Sequence, residues 1–305
     1  MRALPARAAG SALLAALAWL ALAQPLRANP ELNAAASFLI PGLGQAVNGD
    51  YGAATLHFGT AVVLARQYTI LTEKDDYIDP EDREDDDANE IRTNRTTVYG
   101  DFYGSMLLDV SFYSSFGAYR DARNAQRNQG YSTPAPQETL GDLMVAPFRW
   151  EFLSRPTAFI PIAIPLYLLF TPVDDEQLVY APDESISRDE IGQLSFVQME
   201  GVAVGEEAFF RGVLNNGLSS AFGETPGLLG SATLFGLAHA GIGGQADPLT
   251  AGLFGLYLGW LQQRNDYEIG EGVAVHFWWN FLITLNFLRK HEADKMVIYT
   301  YFGRF

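Results

Sequence analysis

Gly205-Glu206-Glu207-Ala208-Phe209-Phe210-Arg211-Gly212 sets three charged residues inside a long apolar run. On an α-helix Glu207 and Arg211 are four residues apart and share a face. Glu206 lies about 100° round from Glu207. One carboxylate is then neutralised by the guanidinium while the other points elsewhere. Burial disfavours a carboxylate's charge and a nearby arginine favours it. That asymmetry suits a general base standing beside a second carboxylate that stays fixed and ionised. Ionisable groups within apolar helices mark functional sites when the surrounding solvent is lipid. The stretch therefore predicts an all-α, polytopic transmembrane bundle with a polar centre.

Two more apolar segments carry matching polar residues. Phe235-Gly-Leu-Ala-His239 and His276-Phe-Trp-Trp-Asn280 each place two functional residues four apart, on one helical face. A histidine and an asparagine so placed both suit donation to a developing oxyanion. Helical segments are expected at about 191–215, 226–241, 248–264 and 271–289. Two carboxylates, two imidazoles, a guanidinium and an amide then converge from successive helices. Two histidines and a glutamate also match a three-ligand zinc site with an open position, formed by Glu206, His239 and His276. The H-E-x-x-H pattern is missing, and the metal-free reading is preferred.

The N-terminal part repeats the alternation of apolar and charged sequence. Residues 1–23 read as a secretory signal, with Arg2 and Arg7, an apolar run from Gly10 to Leu22, and Ala21-Leu22-Ala23 before Gln24. Residues 34–47 are apolar but broken by Pro41, Gly42 and Gly44, so they predict a kinked or re-entrant element. The motif within it, Ser37-Phe-Leu-Ile-Pro-Gly-Leu-Gly-Gln45, resembles hairpins of small bacterial membrane proteins. Further apolar segments are expected at 52–71, 101–119 and 157–171, which makes about seven to eight membrane segments after the signal. Asp109, inside one of them, is expected to pair with Arg66 on its neighbour. Asp142 to Ser154 suits an amphipathic surface helix. Residues 73–98 are acidic and read as a solvated, partly disordered loop, without the spacing of an EF-hand, and residues 174–190 form a second acidic loop. The connection 120–156 carries five arginines, which puts it in the cytoplasm and the acidic loops outside. Arg289, Lys290, Lys295 and Arg304 near the C-terminus run against that count. His57 is expected to be packed or interfacial and His291 solvated. The organisation expected is a signal at 1–23, an N-terminal membrane region at 24–141, a core at 142–290 and a tail at 291–305.

Composition removes several classes. The 18% of charged residues is below the ~25% of soluble domains, and it is clustered in loops. A net charge of −16 argues against a nucleic-acid partner, which needs basic patches. Without cysteine there is no disulfide, thiolate metal site or catalytic thiol.

Glu-Glu-x-x-x-Arg, then Phe-x-x-x-His, then His-x-x-x-Asn, in that order on apolar helices, resembles the CPBP intramembrane proteases. These include the type II CAAX prenyl proteases and the Abi proteins linked to bacteriocin self-immunity. The resemblance covers about residues 145–290 and implies an intramembrane endopeptidase. It implies that Glu206 activates water, that His239 helps hold that water, and that His276 and Asn280 stabilise the oxyanion. Glu207 and Arg211 become the supporting pair, and Phe235 a pocket wall. The partners implied are a membrane protein or peptide substrate and the lipid bilayer, and the location an integral one, in a bacterial inner membrane. A non-catalytic partner protein of the same fold and a proton-coupled transporter are the alternatives.

Overall fold

Asn29 and Asp50 open two of the first helices by accepting backbone N–H bonds from Leu32 and Ala53, both at 2.9 Å. The chain is described by a computed structural model over residues 29–85, 89–172, 179–240 and 247–289. The expected signal at 1–23 and the tail with His291 lie outside the described residues. Helix α1 spans Pro30–Leu39 and α2 spans Leu43–Asn48, with Gly42 between them at φ +92°. The Ser37–Gln45 motif is thus a helical hairpin. Its polar side chains tie it together and to the rest of the fold. The Ser37 hydroxyl donates to Gln45 Oε1 at 2.7 Å, and Gln45 Nε2 donates to the Ser114 carbonyl at 2.7 Å. Helix α3, Tyr51–Thr72, follows Gly49 and carries His57, whose ring lies 5.9 Å from Tyr113.

Helix α4, Arg95–Ala125, has 31 residues and a rise of about 46 Å. It packs against α1 and α3 on one side and against the later helices on the other. The two acidic connections meet at its N-terminal end. There β1 (Glu84–Asp85) pairs antiparallel with β2 (Glu90–Thr93), and β2 pairs in parallel with β3 (Val179–Pro182). Arg95 adds a two-pronged ion pair to Glu190, at 2.5 and 2.7 Å. The expectation of a solvated, partly disordered loop over 73–98 is corrected here for its described residues. Ile91 and Val179 are buried, and this burial gives the acidic segments a reason to pair.

The arginine-containing connection lies at the other end of α4. Arg123 is fully buried and donates to Asn128 Oδ1, the Thr133 carbonyl and Asn216 Oδ1. The single amphipathic helix expected over Asp142–Ser154 is also corrected. The segment forms α5 (Leu140–Val145), a 3₁₀ turn at Ala146–Phe148 and α6 (Trp150–Leu153). Pro147 cannot donate an amide, and Arg149 is extended, so the helix breaks. Helix α7, Pro156–Leu168, keeps Pro161 and Pro165 inside it.

The last third is α8 (Arg188–Glu206), a π-helical segment (Glu207–Asn215), α9 (Asn216–Phe222), α10 (Glu224–Ala238), α11 (Pro248–Arg264) and α12 (Gly270–Phe287). The main core lies between α4, α8 and α12, with Phe116, Ala203, Val204, Ala208, Val273 and Phe277 buried together. The fold is mostly helical, as expected. No helix among the described residues is long and apolar enough to cross a membrane. Helix α4 has the length but carries several charges, and the apolar α7 has 13 residues.

Asp109 does not pair with Arg66. Arg66 is exposed on α3, whereas Asp109 is 8% exposed and faces α8. Sequence placed two opposite charges on neighbouring helices; packing turned their faces apart.

Candidate active site

Glu206 ends α8 and Glu207 begins the π-helical segment, so the two carboxylates stand where one helical geometry gives way to another. A π-helix bonds i→i+5 and has a wider turn than an α-helix. Glu207 Oε1 accepts from Arg211 Nη1 at 2.9 Å. Both side chains are buried, at 0% and 1% exposure. Arg211 also donates to the Gly255 carbonyl at 3.3 Å. Its guanidinium lies 4.3 Å over the Phe235 ring.

The same Glu207 oxygen meets His276 Nδ1 at 2.8 Å. Gly272, one turn before His276 on α12, makes room for this contact. A Cβ there would lie 3.1 Å from Glu207 Oε2. Glu207 is thus shared between Arg211 and His276, a link from α12 that the spacing of Glu207 and Arg211 did not reveal. The other ring nitrogen of His276, Nε2, is 3.7 Å from Glu206 Oε2. That is beyond hydrogen-bond length. Glu206 Oε2 is buried and has no hydrogen-bond partner among the described residues.

Phe235 joins the remaining pieces. Its ring centre is 4.6 Å from that of His239 and 6.1 Å from that of His276. His239 caps the C-terminal end of α10, half-buried, with Nδ1 2.8 Å from the Phe235 carbonyl. A ring N–H donated there leaves Nε2 as the acceptor. Asn280 is one turn beyond His276 on α12 and half-buried, and its carbonyl accepts from Thr284 Oγ1 at 2.9 Å. The structure thus gathers Glu206, Glu207, Arg211, Phe235 and His276 directly. It adds His239 through Phe235, and Asn280 along the His276 face.

Glu206, His239 and His276, the set considered for zinc, do not form one close cluster here. Among the described residues, no three His, Asp or Glu side chains are placed to hold a metal ion.

Residues distant in sequence hold the site in place. Glu138 accepts from the amides of Ile269 and Gly270, both at 2.8 Å, and so caps α12. Burial outweighs those two bonds and raises its carboxyl to about 7, helped by the nearby charges of Glu268 and Asp142. Glu271 is bound by Arg155 at 2.6 Å, by Asn265 at 2.8 Å and by Thr157. Gln262 donates to the Arg211 carbonyl at 2.8 Å and accepts from Asn215 at 2.6 Å. None of these residues carries a spacing signal, because each partner lies far away in the chain.

No curated protein matches the chain, and no solved structure does. Residues 193–282 match the family model described as type II CAAX prenyl endopeptidase Rce1-like, so the part of the chain that builds most of this site is similar to that family.

Proposed function

We propose that the protein is an intramembrane endopeptidase in which Glu206 activates water for attack on a peptide carbonyl. The observation that carries this reading is the orphaned Glu206 Oε2, buried beside His276 and next to the Glu207–Arg211 pair. A buried acceptor without a partner is costly, and a bound water or a substrate group removes that cost. Rce1-like proteins are proteases, which supports peptide hydrolysis and a membrane location. Exposed apolar side chains support lipid contact as well. Leu56, Phe58 and Val62 on α3, and Phe159, Ile160 and Ile164 on α7, face outward.

The contacts set the roles. Glu207 is engaged by Arg211 and by His276 Nδ1, which leaves Glu206 to act on the water. Glu207 orients the His276 ring as a buried carboxylate holds histidine in the serine-protease triad. In the proposed cycle Glu206 takes a proton from water, and the hydroxide adds to the carbonyl carbon. His276 and Asn280 donate to the oxyanion. Glu206 then returns its proton to the leaving amine as the C–N bond breaks. His239 Nε2 orients the water.

The test uses purified full-length protein with two probes. One is an internally quenched transmembrane peptide, the other a fluorogenic peptide ending in a prenylated CAAX sequence. Glu206→Gln is expected to lower cleavage of whichever probe is accepted by about 10²–10⁴-fold, the usual contribution of a general base. Strong chelator is expected to leave the rate unchanged. Cleavage by a folded Glu206→Gln protein at the wild-type rate refutes the role of Glu206. Comparing membrane proteomes of cells carrying the wild-type or the Glu206→Gln chain then identifies the natural substrate.

A further inference from the structure

Helix α8 presents Gly201-Val-Ala-Val-Gly205 immediately before Glu206. This small-xxx-small pattern permits close approach of a neighbouring helix, and the neighbour is α4. A Cβ on Gly205 would lie 3.0 Å from Asp109 Cα and 3.1 Å from its Oδ1, and one on Gly201 would lie 3.0 Å from Oδ2. The Asp109 carboxyl therefore occupies the notch between the two glycines, one residue from the proposed base. It lies near enough to Glu206 for the two charges to act on each other.

We propose that Asp109 is a positioning residue for Glu206, a neutral carboxylic acid that donates its O–H to one of the two acceptor sites of Glu206 Oε2 and leaves the remaining sites of the carboxylate to the water. Three observations converge on this. Asp109 is buried, and among the described residues no cation pairs with it; its own hydrogen bond is a long one from Ser105, at 3.5 Å. The guanidinium nearest the pair, that of Arg211, is already bound to Glu207, at 2.9 Å. Glu206 Oε2 lacks a donor, and the His276 nitrogen is too distant at 3.7 Å to supply one. Two adjacent carboxyls in such a place hold one proton between them. The groups that face the pair are Ser105 and Met106 on α4, the two glycines on α8, Arg211 on the π-helical segment and His276 on α12. Asp109 lies outside the matched residues 193–282, so this part of the N-terminal half completes the site.

The inference rests on Glu206 acting as the base, and two readouts separate the two claims. The first is infrared spectroscopy of the full-length protein in micelles near neutral pH. The wild type is expected to show a buried protonated-carboxyl carbonyl band that Asp109→Asn removes and Glu206→Gln shifts in frequency. A wild-type spectrum identical to that of Asp109→Asn overturns the neutral acid, and a band unmoved by Glu206→Gln overturns its contact with Glu206, whatever the activity. The second is cleavage of the accepted probe. Asp109→Asn keeps an N–H donor and is expected to retain kcat within about threefold. Asp109→Leu has no donor and is expected to lower kcat about tenfold to a hundredfold at unchanged KM, the usual weight of a hydrogen bond to a charged group. Equal rates in the Asn and Leu variants overturn the positioning role. If Asp109→Leu fails to fold, Ser105→Ala and the two infrared variants still decide the contact.

Discussion

Removing the Arg211 cation tests the arrangement at its most buried point. Arg211→Met keeps much of the side chain's volume and its contact with Phe235, yet it deletes the 2.9 Å bond to Glu207 and the donation to the Gly255 carbonyl. Glu207 is 0% exposed, so its charge then has only His276 for company. Breaking a buried ion pair by removing one partner costs about 3–5 kcal/mol. At roughly 2 °C per kcal/mol for a chain of this size, the melting temperature falls by about 6–10 °C. Replacing both partners by neutral side chains avoids the unpaired charge. Arg211→Met with Glu207→Gln is therefore expected to melt above Arg211→Met alone, although it carries one more substitution. Thermal unfolding of wild type, both single variants and the double variant, in one detergent, closes the cycle. A double variant whose loss equals the sum of the single losses shows no coupling, and it refutes the shared-carboxylate reading of Glu207.

Three further outcomes follow from other parts of the structure. Asn280→Ala is expected to lower kcat about 10²–10³-fold with KM little changed, as removal of an oxyanion donor does; steady-state kinetics on the accepted probe check it. Gly212→Ala is expected to destabilise by about 1–3 kcal/mol, because a Cβ there would lie 2.4 Å from the Phe116 ring; the melting temperature reads this directly. Glu138, whose carboxyl burial raises from 4.5 to about 7, binds its proton more tightly in the folded state than in the unfolded one. Its contribution is therefore fully present below pH 4.5 and is lost as pH rises through about 7. The loss is about 3 kcal/mol at 1.36 kcal/mol per unit. Glu138→Gln is expected to flatten that part of the stability–pH curve, and wild type and variant falling in parallel between pH 4.5 and 8 refutes it.

What sequence revealed and what it concealed divide along chain distance. Helix α11 runs over Pro248–Arg264, the 248–264 expected from its apolar run, because its ends are set locally by Asp247 and by the Arg264-Asn265 turn. Glu207 and Arg211 pair as their spacing implied. Pro147 and Arg149 broke the expected amphipathic helix, and the proline was a local signal that apolar patterning outweighed. The remaining differences are long-range. The bond from His276 to Glu207 spans 69 residues of chain, and the ladder from Glu90 to Val179 joins two loops that composition alone makes look solvated. Asp109 shows the limit most clearly. Opposite charge pointed to Arg66, but the glycine notch of α8 determined its neighbour, and a notch has no charge to read.

The two adjacent glutamates take different roles because their side chains leave the helix about 100° apart. Glu207 meets Arg211 four residues on, whereas Glu206 stands where α8 gives way to the π-helical segment, and its Oε2 has no hydrogen-bond partner among the described residues. The π-helical turn that follows is wider than an α-helical one. The extra width also needs filling. Phe235 lies beneath the Arg211 guanidinium, and Gln262 donates to the Arg211 carbonyl, so α10 and α11 both pack onto this segment. A backbone irregularity of this kind costs stability and persists where neighbours hold it. Here those neighbours are α10, which ends at His239, and α11, which precedes the helix of His276, so the irregular segment after Glu206 is held by the helices that lead to the two imidazoles.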